Sequence, residues 1–344
     1  MARKLSMSSA INEAMKLAMR KDENVILLGE DVAGGGGVDH LQNDEAWGGV
    51  LGVTKGLVQE FGRERVLDTP ITEAGFIGAA MTAAATGLRP IAELMFNDFI
   101  GSCLDQVLNQ GAKFRYMFGG KTQVPVTIRT TYGAGFRAAA QHSQSLYALF
   151  TSIPGLKVVV PSTPYDAKGL LLAAIEDNDP VVFFEDKTLY NATGEVPEGY
   201  YTIPLGQADI KRAGSDLTIV AIGKQVHTAL KAAEQLAGKG IEAEVVDPRS
   251  LSPLDEDTIL ASVSKTNRLI VIDEANPRCS IATDIAALVA DKGFDSLDAP
   301  IKRITAPHTP VPFSPPLEDI YLPTPQKVLA VVAELLGDKS LQSV

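Results

Sequence analysis

A recurring pair of segments constrains this chain more than anything else in it. A short run of mostly apolar residues is followed, again and again, by a stretch with apolar residues at helical spacing. The runs at 25–28, 91–95, 125–129, 157–160 and 181–184 are too short for helices. Most are apolar at consecutive positions, so neither face of the strand is meant for water. Such strands belong to a parallel sheet covered by helices on both faces. Helices are predicted at 8–20, 55–61, 98–117 and 164–176, and also after Glu73 and after Ser145. The first of them sets Ile11, Ala14, Met15, Ala18 and Met19 on one face.

At 344 residues the chain is long for one domain. Gly, Pro and Tyr punctuate 191–204 without a clear period, which predicts a linker. Beyond it the alternation restarts, with strands at 217–222, 244–246, 269–272 and 301–304 and helices at 225–237, 255–263 and 281–290. Pro307, Pro310, Pro312, Pro315 and Pro316 predict an extended path before a last helix at 325–336. The fold class is therefore α/β, with two doubly wound domains at 1–190 and 205–344, the second smaller.

The charge balance, 31 Lys and Arg against 42 Asp and Glu, gives a net charge of −11 and argues against a nucleic-acid surface. No apolar stretch is long enough to span a bilayer, and the polar residues Ser6, Ser8, Ser9, Asn12 and Glu13 interrupt the N-terminus, so no signal peptide is expected. Cys103 and Cys279 are far apart in apolar or small-residue settings, as reduced buried thiols of a cytoplasmic protein would be.

Chemistry is concentrated at predicted strand ends, where open α/β sheets bind ligands. Glu73 follows Thr69-Pro70-Ile71-Thr72 and precedes small residues at helical spacing, which puts it at a helix N-terminus. Glu30 ends the strand at 25–28 in Gly29-Glu30-Asp31-Val32. His142 follows the glycine-rich loop Gly133-Ala134-Gly135-Phe136-Arg137 and has hydroxyl and amide neighbours. The stretch 33–52 holds Gly34 to Gly37 and the only Trp, Trp47. Its glycines lack the spacing of a dinucleotide fingerprint and no Gly-Lys-Ser/Thr follows, which argues against a nicotinamide oxidoreductase or a P-loop.

The motifs Thr69-Pro70-Ile71-Thr72-Glu73, Gly75-Phe76-Ile77-Gly78 and Gly87-Leu88-Arg89-Pro90-Ile91-Ala92-Glu93 occur in strict succession. They are followed by Asp105-Gln106-Val107-Leu108-Asn109, Gln141-His142-Ser143-Gln144 and Ser250-Leu251-Ser252-Pro253-Leu254-Asp255. In that order they resemble the beta subunits of thiamine-diphosphate-dependent 2-oxo acid dehydrogenases, a family of the transketolase-like superfamily that includes the acetoin dehydrogenases. The resemblance implies an N-terminal pyrimidine-binding domain and a transketolase-like C-terminal domain. It also implies an alpha subunit in a heterotetramer of two alpha and two beta chains. The alpha chain would hold the magnesium and the diphosphate, for which this sequence has no Gly-Asp-Gly…Asn motif.

By matching motif, Glu73 would hydrogen-bond the aminopyrimidine ring, in a setting buried against Phe76 and Ile77. Glu30 would stand close to it, and Ile71, Met95 and Phe99 would pack on the ring. His142 would act near the substrate oxygen, and a potassium ion would be held through backbone carbonyls of Val126, Ala174, Ile175, Asp177 and Asp179. The additional residues 38–52 resemble the acetoin version and imply acetoin cleavage to acetaldehyde. The acetyl unit would then pass to a lipoyl group on a partner acetyltransferase. A pyruvate or branched-chain 2-oxo acid dehydrogenase subunit is the alternative, and a non-catalytic scaffold subunit is disfavoured by Glu30, Glu73 and His142. The second domain has no catalytic cluster of its own and is assigned to subunit contacts and acyltransferase docking.

Overall fold

The computed structural model describes residues 2–34 and 47–337. His40 and most of the 33–52 stretch, including much of the segment linked above to acetoin, lie outside the described residues. The chain forms two compact units, Met1–Tyr132 with Leu149–Leu205, and Gly133–Ala148 with Gly206–Val344.

The first unit holds, in order, β1 (Ala2–Ser6), α1 (Met7–Lys21), β2 (Val25–Gly29), α2 (Leu57–Phe61), β3 (Val66–Asp68), α3 (Glu73–Ala85) and β4 (Arg89–Phe96). There follow α4 (Ile100–Asp105), α5 (Ala112–Met117), β5 (Thr127–Tyr132), α6 (Tyr147–Thr151, of which the first two residues fall in the second unit), β6 (Lys157–Val159), α7 (Pro164–Glu176), β7 (Val181–Asp186) and β8 (Thr193–Pro197). Its main sheet runs β6-β7-β5-β4-β2-β3, every pair parallel. Strands β2, β5 and β7 are buried at every position, as their apolar runs require. Helix α1 is capped by Ser6, whose hydroxyl accepts from the Ser9 amide, and ends in Arg20 and Lys21 beside its exposed carbonyls. Its buried face packs with α7 in one core cluster. Each of Met7, Ile11, Met15 and Met19, almost wholly enclosed, contributes about 1.5–3 kcal/mol.

The second unit adds β9 (Asp209–Arg212), β10 (Leu217–Ala221), α8 (Gln225–Ala237), β11 (Ala243–Asp247), β12 (Ser250–Ser252), α9 (Glu256–Thr266) and β13 (Leu269–Ile272). It closes with α10 (Ile281–Lys292), β14 (Lys302–Ile304), α11 (Pro315–Tyr321) and α12 (Pro325–Leu336). Its sheet runs β14-β13-β10-β11-β9, parallel except for β9 at the edge.

Five expectations change. Residues 191–204 are not a free linker, because β8 within them pairs antiparallel with β1 and the break falls after Leu205. That pairing joins segments nearly the whole first unit apart, so no local pattern announces it. The predicted helix 98–117 is broken by a π-helical turn at Gln106–Gly111 between α4 and α5. A Cβ at Gly111 would stand 2.5 Å from the Met81 sulfur, so a larger residue in this turn would displace the end of that side chain on α3. The proline-rich stretch is not extended throughout, since Pro315 starts α11 at a first-turn position where its missing N–H is no loss. The segment Gly133–Ala148, placed by sequence in the first domain, belongs to the second unit. Finally, Cys279 is exposed, in a turn where its φ is 47°.

Candidate active site

In the first unit the carboxyl ends of three adjacent parallel strands carry the predicted groups. Strand β2 lies between β3 and β4, so Glu30 is flanked by the Thr69–Glu73 turn on one side and the Met95–Phe99 segment on the other. Local contacts fix this corner. The Thr69 amide donates to Gly29 O at 3.0 Å, the Ala33 amide to Asp68 Oδ1 at 2.6 Å, and the Thr54 hydroxyl to Val32 O at 2.7 Å. Gly29 sits opposite Glu93 in the ladder, and a Cβ there would meet Glu93 Cβ at 3.0 Å. A side chain at Gly29 would therefore press on Glu93 and Val32 at the end of β2.

Glu30 is only 8% exposed, and its Oε1 is buried with no hydrogen-bond partner. Burial raises its pKa above the ordinary carboxylate range, and the neighbouring carboxylates of Glu73, Asp31 and Glu93 push it further. Glu73 is the first residue of α3 and is half-buried, less enclosed than expected, while Phe76 and Ile77 beneath it are core residues. The Thr69 hydroxyl oxygen is a second buried polar atom without a partner. Met95 and Phe99 are half-buried, and Phe99 packs edge-on against Phe96 with ring centroids 5.5 Å apart. Ile71 is 81% exposed, an apolar side chain with nothing of its own chain over it. The structure therefore brings Glu30, Glu73, Ile71, Met95 and Phe99 to one set of strand ends.

An unsatisfied buried acceptor is costly unless something donates to it. A flat, partly apolar ligand with N–H donors fits this corner, because it would satisfy Glu30 and give Ile71, Met95 and Phe99 a surface to pack on. Cys103, which sequence reasoning set aside, is fully buried near Glu73, and burial together with that carboxylate pushes its thiol up to about 12. It stays a neutral thiol and is no nucleophile.

Behind these groups Arg129 is clamped by two carboxylates. It donates to Glu185 at 2.6 and 2.8 Å and to Glu93 at 2.7 Å, and Tyr190 donates to Glu185 at 2.6 Å. Burial alone would lower the Arg129 pKa, but Glu185 and Glu93 outweigh it and raise it. The group is a fixed cation.

The expected potassium ligands lie elsewhere in this unit, and the carbonyls of four of them, Val126, Ala174, Ile175 and Asp177, already accept hydrogen bonds. Arg89 donates to the carbonyls of Ile175 and Asp177, each at 3.1 Å, the Val181 amide to Val126 O at 2.9 Å, and the Asp177 amide to Ala174 O at 3.3 Å. Each carbonyl keeps one lone pair. Among the described residues, no cluster of three or more His, Cys, Asp or Glu is arranged to hold a metal ion.

His142 belongs to the second unit, on the segment Gly133–Ala148. It is half-buried, and its amide closes a turn onto Ala139 O. The same segment walls a cavity of about 250 Å³ with Glu274, His308 and Tyr321. No local pattern connects His308 with residues 143–146, because only the tertiary fold makes them neighbours.

The Transketolase, pyrimidine binding domain family matches residues 3–193, and the Transketolase, C-terminal domain family matches 206–328. The acetoin:2,6-dichlorophenolindophenol oxidoreductase subunit beta of Bacillus subtilis (strain 168) is 82% identical over 99% of this chain and 100% of its own length. This chain belongs to that family of dehydrogenase beta subunits. The family's breadth is visible in the pyruvate dehydrogenase E1 component subunit beta of the same organism, 47% identical over 96% of this chain and 98% of the relative. A solved structure described as a split gene transketolase, an inactive beta4 tetramer, superposes with a TM-score of 0.74 over 97% of this chain and 99% of its own. At 22% identity it shares the fold.

Proposed function

We propose that this chain is the beta subunit of an acetoin dehydrogenase that uses thiamine diphosphate. The observation that carries the reading is the 82% full-length identity to the acetoin oxidoreductase beta subunit. In that same organism the pyruvate and 2-oxoisovalerate dehydrogenase beta subunits are 47% and 44% identical to this chain. The functional unit contains an alpha subunit, two copies of each chain, with magnesium and the diphosphate held on the alpha side. It works in a cytoplasmic complex with a lipoyl-bearing acetyltransferase.

When bound, thiamine diphosphate supplies the nucleophilic carbon and the electron sink needed to break the bond between the carbinol and carbonyl carbons of acetoin. Glu73, at the N-terminus of α3, holds a proton at the aminopyrimidine ring nitrogen. Glu30, desolvated beside it, accepts from the same ligand through the otherwise orphaned Oε1. Ile71, Met95 and Phe99 pack on the ring and exclude water. His142 stabilises charge on the substrate oxygen or moves a proton there. The overall balance would be acetoin and a lipoyl disulfide giving acetaldehyde and an S-acetyldihydrolipoyl group, the disulfide taking up the two electrons released as the acetyl unit is oxidised. A potassium ion at the carbonyls of Val126, Ala174, Ile175, Asp177 and Asp179 is a structural part of the reading, supported only by their spare lone pairs.

The test is dye reduction by this chain assembled with its alpha subunit, thiamine diphosphate and magnesium, comparing acetoin with pyruvate and branched 2-oxo acids. Acetoin is expected to be at least about tenfold the better substrate in kcat/KM. Faster reduction with a 2-oxo acid overturns the acetoin assignment and leaves the family chemistry of Glu73 standing.

A further inference from the structure

The segment that bears His142 is held from below by three buried carboxylates of its own unit. Glu318 on α11 is fully buried and accepts from the Gly135 amide at 2.6 Å and from Arg137 Nη1 at 2.6 Å. Glu274 accepts from the Ala134 amide at 3.2 Å and the Ser145 hydroxyl at 2.8 Å. Asp273 accepts from the Tyr147 hydroxyl, and Lys224 pairs with Glu274 at 2.7 Å while donating to Ala134 O. Arg137 reaches Asp319 as well, but that carboxylate is 66% exposed.

Between these anchors the backbone is forced. Arg137 and Ala139 have φ of 61° and 60°, a region in which a side chain is disfavoured and which persists only where surrounding contacts over-determine it. The His142 amide bonds to the carbonyl of one of them, Ala139. The anchor nearest the two strained residues is Glu318, which binds the chain on both sides of Phe136.

We infer that Glu318 is a positioning residue: it holds the strained 133–139 loop that sets where His142 stands, a role that rests on the reading of His142 as a group at the reacting centre. The second unit then contributes to turnover and is more than a surface for partners. Glu318 touches no substrate in this account. It acts through the loop.

The test uses the assembled complex with its cofactor. Glu318→Ala is expected to lower kcat by at least about thirtyfold, the scale of a misplaced catalytic group. The KM for substrate and the affinity for thiamine diphosphate should stay within about threefold, and hydrogen exchange at residues 133–142 should speed up. Glu318→Gln should recover part of the loss, because its carbonyl oxygen still accepts from the Gly135 amide. In a His142→Ala background, Glu318→Ala should cost less than about threefold more, since two residues acting through one group are not additive.

An unchanged kcat in Glu318→Ala overturns the inference. So does an equal fold-loss in both backgrounds, which is the signature of a general structural role. Should Glu318→Ala fail to assemble, Arg137→Met removes the same ion pair from the half-exposed side and is read by the same criteria. Near-wild-type turnover of His142→Ala overturns the reading of His142 and the positioning role together. It is told apart from failure of the latch alone, because loop exchange in Glu318→Ala still rises.

Discussion

Glu30 and Glu318 are both buried carboxylates, and their surroundings are opposite. Glu318 is matched by an amide and a guanidinium, so every hydrogen-bonding demand of its burial is met within the unit. Glu30 has three like charges around it and an oxygen with no partner. Asp273 falls between them. One of its oxygens accepts from Tyr147 and the Ala275 amide, and the Ala282 amide lowers its pKa as well, yet burial outweighs these donors and pushes it up to about 6. A satisfied buried carboxylate organises backbone. An unsatisfied one stores an interaction that only a ligand or a proton can complete. The strand ends of the first unit are therefore where chemistry is expected, and the carboxylates of the second unit are where a loop is built.

That contrast can be broken at three points. The largest effect is expected from Glu73→Gln, which should lower turnover of the assembled complex by at least about a hundredfold while cofactor binding survives. Near-wild-type turnover would remove Glu73 from the proton chemistry. Glu30→Gln should be milder in rate and specific in binding, with affinity for thiamine diphosphate falling about tenfold by fluorescence titration. Because the folded pKa of Glu30 is raised, its charged form costs stability as pH rises through that value. The Gln variant should accordingly be no less stable than the parent at neutral pH, and a lower melting temperature there would contradict the picture of an unpaired carboxylate.

Asp273→Asn should change the pH dependence of stability most subtly. With a folded value of about 6 against an unfolded value of about 4, the native state binds more protons between them, so stability falls as pH rises through that window. The slope contributed is at most about 1.4 kcal/mol per pH unit, and the Asn variant should lose it in urea titrations run from pH 4 to 6.5. An unaltered slope would mean that Asp273 is as well satisfied as Glu318.

Much of this was legible in the order of residues. The helices Pro164–Glu176, Gln225–Ala237 and Pro325–Leu336 and the strand Leu269–Ile272 lie where periodicity and capping signals put them, since Thr163, Thr324 and the following prolines mark helix starts locally. The edge strand β9, half-exposed and only four residues long, carries too little pattern to be seen. The β1–β8 pair joins residues almost two hundred positions apart, and α11 begins inside a proline cluster that reads as a helix stop.

Local pattern by itself determined the α/β class, the two-part organisation and the carboxylates standing at strand ends, because strand burial and helix capping are short-range properties of neighbouring residues. The tertiary structure alone decided that Glu30 is desolvated among other carboxylates, that Cys103 lies beside Glu73, and that the His142 segment is anchored to α11. Desolvation and hydrogen-bond satisfaction depend on which distant segments meet, and a linear spacing carries no record of that.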